Sequence, residues 1–211
     1  HRIALLTAYQ NAAYADRYKQ LVDVVALAEA RVANGSTLLA IAVARNFAKL
    51  MSYKDEYEVG RLHSDPKFAQ LLKDTFEDGM KLRYNLAPPL FARRDPQTGH
   101  LKKREFGPWV KSAFGVLARL KFLRGTAFDP FGYTDERKME RGLIDDYEAL
   151  ITNLLGALTP ANLDVAIEIA SLPGQIRGYG HVKEVNVKNV KVLETQLVQT
   201  FRNPASTVGA G

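Results

Sequence analysis

The sequence predicts a mainly α protein, a single helical domain of about seven helices with one inserted arm of β-hairpin type. Three observations predict it. Apolar residues recur at i, i+4, i+7 spacing through most of the chain. Helix-start residues, either a capping side chain or a proline, stand ahead of nearly every such run. Residues 80–105 alone lose the helical period, and no alternation of strand and helix suggests a parallel sheet. No low-complexity segment, repeat or Pro/Gly/Ser linker interrupts the chain, so 1–211 reads as one domain.

The first helix runs from Tyr14 through Tyr18, Leu21, Val25, Ala28 and Val32 and ends at Asn34-Gly35, a left-handed cap. Ser36 is placed to cap the second helix, whose stripe is Leu39, Val43, Phe47, Leu50 and Tyr57. Lys54 falls on that stripe; a pair with Glu58 or snorkelling accounts for it more simply than a cation held under a site. Asp65-Pro66 opens a third helix with Phe68, Leu71, Leu72 and Phe76 inside and Gly79 as its stop. Residues 80–105 read as two extended arms around a turn, with Pro88-Pro89 excluding a central strand. Pro108 starts a helix with Trp109, Ala113, Val116, Leu117 and Leu120 inward and Lys111, Arg119 and Lys121 outward. The loop 124–134 is rich in aromatics (Phe128, Phe131, Tyr133), which pin a long connection to a core more often than they line a ligand pocket. Thr134 caps the longest pattern, Met139 to Leu158. Thr159-Pro160 restarts a helix, and a last one carries Val190, Leu193, Leu197 and Phe201. Residues 204–211 read as a disordered tail.

Composition narrows function by exclusion. The 211 residues contain no cysteine, which rules out disulfides, cysteine nucleophiles and cysteine-ligated clusters, and fits a cytoplasmic, reducing location. The four histidines are widely spaced, so no protein metal site is expected. No apolar run approaches the ~20 residues that cross a bilayer, and no membrane role is expected. The net charge of +6 permits an anionic partner without choosing one. The start lacks a Met and opens mid-pattern, as an excised fragment does.

Two stretches carry the candidate sites. In Leu172 to Lys188, three glycines precede a helix, and Arg177, Gly178, Gly180, His181 and Lys183 gather where loop becomes helix. Free backbone N–H groups and added cations there suit an anion, although the glycines lack a phosphate-loop spacing. A tight basic connection between helices is the competing account. In the hairpin, Arg93, Arg94, Lys102, Lys103 and Arg104 form a basic docking arm for an acidic neighbour. Nucleic acid ranks last as a partner, because the net charge is modest; few aromatics interleave the cations, which weakens single-strand stacking in particular. No catalytic residue is assigned. The paired carboxylates Asp55-Glu56 and Asp145-Asp146 diverge by ~100° on a helix and read as solvated faces.

Four segments in order, VARNFAKLMSYKDEYEVGRL, LAPPLFARRDPQTGHLKKREFGPW, RGTAFDPFGYTDERKMER and PGQIRGYGHVKEVNV, closely resemble the C-terminal region of the fused bacterial indolepyruvate ferredoxin oxidoreductases. The likeness spans nearly the whole chain. It implies a parent enzyme that oxidatively decarboxylates arylpyruvates to acyl-CoA. That parent uses thiamine pyrophosphate with Mg, 4Fe–4S clusters and coenzyme A, and passes electrons to ferredoxin. Those groups belong to earlier domains of the family, so the resemblance implies no cofactor in this segment. It implies an accessory part that docks on the parent's catalytic domains, within a homo-oligomer, and assists assembly or active-site closure. The glycine loop would then meet coenzyme A phosphates or an acidic patch of the electron-transfer domain. A purely structural dimerisation module is the alternative.

Overall fold

A computed structural model describes residues 1–76, 82–86 and 104–203. It is mainly helical, as the periodicity requires, with nine α-helices and one two-stranded antiparallel ribbon among the described residues. The difference from about seven has two sources. A short helix α1 (Arg2–Tyr9) precedes the first expected one, and the expected second helix is two, α3 (Leu38–Met51) and α4 (Glu56–Ser64). Leu50 and Tyr57 keep helical spacing across the break, so periodicity alone cannot reveal it. The chain clusters into two compact units, one of residues 1–53 with those from 138 onward, the other of residues 54–137.

The first unit holds α1, α2 (Ala12–Val32), α3, most of α7 (Asp135–Leu155), α8 (Leu163–Ser171) and α9 (His181–Arg202). Asn11 caps α2 by accepting from the Tyr14 N–H, and α2 buries Ala15, Tyr18, Leu21, Val25 and Glu29. Phe47 of α3 stacks on Tyr18 of α2 at 6.1 Å and on Tyr147 of α7 at 5.8 Å, which ties three helices at one point. The tyrosine hydroxyls find carbonyls that helix ends leave open. Tyr14 donates to Met51 O at 2.9 Å, and Tyr147 to Ala170 O at 2.8 Å.

The turn after α2 departs from expectation in its cap. Gly35 is left-handed (φ +84°), but Ser36 does not cap α3. Its hydroxyl donates to Glu29, and the fully buried Glu29 carboxylate accepts the Leu39 and Ala40 N–H groups, each at 2.9 Å. A long side chain from the preceding helix reaches the open N–H groups that the short serine would have served.

The second unit holds α4, α5 (Pro66–Thr75), β1 (Tyr84–Leu86), β2 (Arg104–Phe106) and α6 (Val110–Arg119). Tyr84 pairs with Phe106, Asn85 with Glu105 and Leu86 with Arg104, the base of the expected hairpin. Tyr84, Val110 and Phe114 form a small core, and His63 stacks on Phe114 at 4.9 Å with Phe68 and Tyr84 edge-on to it. Two helices turn out differently from their patterns. α5 buries no residue, and Leu71 and Phe76 are exposed; among the described elements this short helix packs chiefly along α4. α6 is rotated: Val110 and Phe114 face inward, while Trp109 and Val116 face out. Gly60 of α4 decides this. A Cβ on it would meet Leu117 Cβ at 2.8 Å and the Phe114 carbonyl at 2.9 Å, so the helices touch backbone to backbone on that side. The expected tail, 204–211, and Gly79 lie outside the described residues.

Candidate functional site

The glycine-rich loop lies in the first unit and is built from below by α3. α8 passes into a 3₁₀ turn, Leu172–Gln175, with Leu172 and Pro173 buried. Lys49 of α3 donates from its ammonium to the carbonyls of Pro173 (2.7 Å), Gly174 (3.1 Å) and Ile176 (2.9 Å). A single cation thereby closes the carbonyls of the turn. Gly178 follows at φ +89°, where a Cβ would meet Val182 Cγ1 at 2.8 Å. Glycine is required there on both counts. Gly180 then caps α9 without a side chain, its carbonyl accepting the Glu184 N–H at 3.1 Å.

The expected cations divide. Arg177 and His181 are exposed at this bend, and the Arg177 carbonyl accepts from the Asn186 amide at 2.8 Å. Lys183 points back into the unit and pairs with Glu140 of α7, which is 5% exposed. Two further cations belong to the site that the sequence reading does not contain, Lys49 and Arg45, both on α3. Burial lowers the proton affinity of Lys49, and so does repulsion from Arg177, Lys183 and Arg45. Three cations therefore act on Lys49, and Glu140 pairs with one of them, Lys183. Lys49 and Arg45 stand more than a hundred residues from the loop, so only the packing of α3 brings them there. The arrangement brings cationic side chains and a helix N-terminus to one bend, the donor types an anionic group uses. A cleft of about 20 Å³ beside it, lined by Leu50, Tyr147, Pro173 and Val190, has room for a water-sized group and no more.

The docking arm is only partly in view. Arg93, Arg94, Lys102 and Lys103 lie outside the described residues, and Arg104 is placed by its backbone pairing with Leu86. At the ribbon, Arg83 pairs with Glu105 at 2.5 Å.

In the second unit the carboxylates expected on solvated faces are not solvated. Asp55 is 2% exposed, caps α4 at the Glu58 N–H (2.8 Å) and pairs with the buried Arg124, Nη2 to Oδ1 at 2.8 Å. It sits in the break between α3 and α4, so the divergence argued from one continuous helix does not apply. Lys54 beside it is exposed, and Glu58 pairs with Arg61 at 2.7 Å. Asp129 is likewise buried. It accepts from the Tyr57 hydroxyl (3.0 Å) and the N–H groups of Gly125 (2.8 Å) and Phe131 (3.1 Å). Burial and the Asp129 bond push the Tyr57 phenol up. This saturated network holds loop 124–134 in one shape. It pins Phe131 on Tyr57 at 5.4 Å but leaves Phe128 81% exposed, against the expectation that these aromatics all anchor the loop.

Among the described residues no group of three or more His, Asp or Glu side chains is set to hold a metal ion, and no helix is long and apolar enough to cross a membrane. A search among curated proteins found no match, and a search among solved structures found none either. One family model, described as a family of unknown function, matches residues 1–196. With nearly the whole chain covered, the protein belongs to that family, DUF6537.

Proposed function

We propose that this chain is the C-terminal accessory domain of an indolepyruvate ferredoxin oxidoreductase in the cytoplasm, inactive alone, that docks on the catalytic domains of its parent. The four ordered segments of resemblance support the parent; the gathered cations Arg45, Lys49, Arg177 and Lys183 support the role. Thiamine pyrophosphate with Mg, the 4Fe–4S clusters and ferredoxin belong to the parent's other domains; a chain without cysteine cannot ligate such a cluster through thiolates. A phosphate of coenzyme A fits the donor set at the start of α9: the Arg177 guanidinium, His181 and a helix N-terminus. Lys183, tied to Glu140, steadies α9 and leaves the direct contact to Arg177.

The observation that carries this reading is the exposed Arg177 and His181 at the glycine-led N-terminus of α9, where a helix end offers open N–H groups to an anion. The test is kinetic. Arg177→Glu in the full parent enzyme is expected to raise KM for coenzyme A about tenfold with kcat held, the cost of one charge-assisted contact. An unchanged KM for coenzyme A rejects the phosphate contact. Removing the whole segment is expected to abolish arylpyruvate-dependent dye reduction, and adding it in trans to restore it.

A second reading, a homodimerisation module, draws on a different observation. Val24 and Leu27 of α2 and Leu38 and Ile41 of α3 are all more than half exposed, an apolar surface on the helical hairpin. Sedimentation of the isolated chain across a concentration series decides it; a monomer at all concentrations excludes it.

A further inference from the structure

α6 is apolar on two sides, and Gly60 determines which side is left bare. With Val110 and Phe114 pressed on α4, a single exposed ridge remains: Trp109, Ser112, Val116, Arg119 and, in the 3₁₀ turn that continues α6, Phe122. The intervals are three or four residues, the spacing of one helix face. Trp109 is 64%, Val116 57% and Phe122 63% exposed. Three large apolar side chains bare on one short element is more than scattered surface hydrophobicity. From Gly107 to Phe128 the chain has four cations, Lys111, Arg119, Lys121 and Arg124, and no carboxylate. Asp55 neutralises Arg124, whereas Lys111 and Arg119 make no ion pair with a described residue.

We infer that this ridge is a docking surface for an acidic, apolar segment of a protein partner. Such a segment lays its apolar side chains on Trp109, Val116 and Phe122 and a carboxylate on Arg119, between Val116 and Phe122. Charge complementarity selects the acid, since the chain from Gly107 to Phe128 carries cations and no carboxylate, and the nearby Glu58 of α4 is paired with Arg61. Tryptophan and arginine, here at opposite ends of one helix face, are residues that concentrate binding energy at protein interfaces. Two cations without an ion pair among the described residues, on one ridge, are too few for an anionic membrane, where each surface cation contributes only about 1 kcal/mol. The inference concerns the second unit and stands whether or not the oxidoreductase reading holds.

Trp109 is the chain's one tryptophan, so its emission reports on the ridge alone. The full chain is titrated with three probes: a synthetic amphipathic peptide of Leu, Phe and Glu; its counterpart with Lys for every Glu; and phosphatidylserine-containing vesicles. The Glu peptide is expected to shift Trp109 emission to the blue and shield it from acrylamide. Its affinity is expected to fall at least about tenfold in Arg119→Glu/Lys111→Glu. The exposed Val116→Ser is expected to weaken it too, with helical circular dichroism unchanged in each variant. No response to the Glu peptide, an equal response to the Lys peptide, or an affinity that survives both variants overturns the inference. A response to vesicles and not to the Glu peptide replaces the protein partner with a lipid surface. A blue shift that grows with protein concentration alone replaces it with a second copy of this chain.

Discussion

Glu29 shows how one side chain joins two helices. It sits on the buried stripe of α2, where an apolar residue is expected, and is 0% exposed. Burial alone would raise its proton affinity, but the Ser36 hydroxyl and the N–H groups of Ala40, Leu39 and Leu38 outweigh that and hold its pKa below the usual carboxylate value. The carboxylate therefore stays ionised and acts as the cap of α3. Removing it strands two backbone donors at the start of a buried helix. Glu29→Ala is expected to destabilise the fold by about 2–3 kcal/mol, the sum of a lost cap and unsatisfied N–H groups. Glu29→Gln keeps one acceptor oxygen and is expected to lose about half as much. Urea denaturation followed by circular dichroism measures both; equal stability of Glu29→Ala and the parent chain would contradict the capping role.

At the scale of elements, Gly60 carries the sharpest prediction. Glycine inside a helix normally costs about 1 kcal/mol against alanine, so Gly→Ala at an open site stabilises. At Gly60 the new methyl meets Leu117 Cβ and the Phe114 carbonyl below 3 Å, and the carbonyl is backbone that cannot turn away. Gly60→Ala is expected to reverse the usual sign and cost about 1–3 kcal/mol, the price of overpacking. A rise in melting temperature would show that α6 is free to back off. The same contact explains what was legible beforehand. α2, α7 and α9 have one apolar stripe each, and their existence follows from spacing; their inner faces follow in large part, with Leu193 of α9 exposed and Glu29 in place of Ala28 buried in α2. α6 has two, Trp109/Ala113/Val116 and Val110/Phe114/Leu117, at identical intervals. Nothing local separates them; a glycine fifty residues earlier does. The break at Ser52–Asp55 was hidden for a related reason, since it spans a stretch that preserves the phase of the stripe. At the candidate site the glycines, Arg177 and His181 were legible as a local cluster. Arg45, Lys49 and Glu140 were not, because they reach the loop only through the packing of α3 and α7.

For the molecule as a whole, the two units carry different acid-sensitive groups, and that difference is measurable. In the second unit His63 lies among Phe68, Tyr84 and Phe114, its Nδ1 has no hydrogen-bond partner, and burial lowers its pKa below 6.5. The neutral ring is the folded form, so its contribution is complete above about pH 6.5 and is lost as pH falls through the lower folded value. In the first unit Glu29 is held ionised below its ordinary value of 4.5. Its contribution is complete above about pH 4.5 and is lost only at still lower pH. Acid is therefore expected to loosen α4, α5, the β ribbon and α6 before it loosens α2 and α3. Amide cross-peaks in a pH series resolve the order: those of residues 56–75 and 110–119 should weaken first, starting near pH 6. His63→Phe, which fills the same aromatic box without a titrating group, should bring the two sets together at the lower pH. If the two sets already weaken together in the parent chain, the imidazole does not govern the second unit, and the lone Nδ1 is satisfied by water instead.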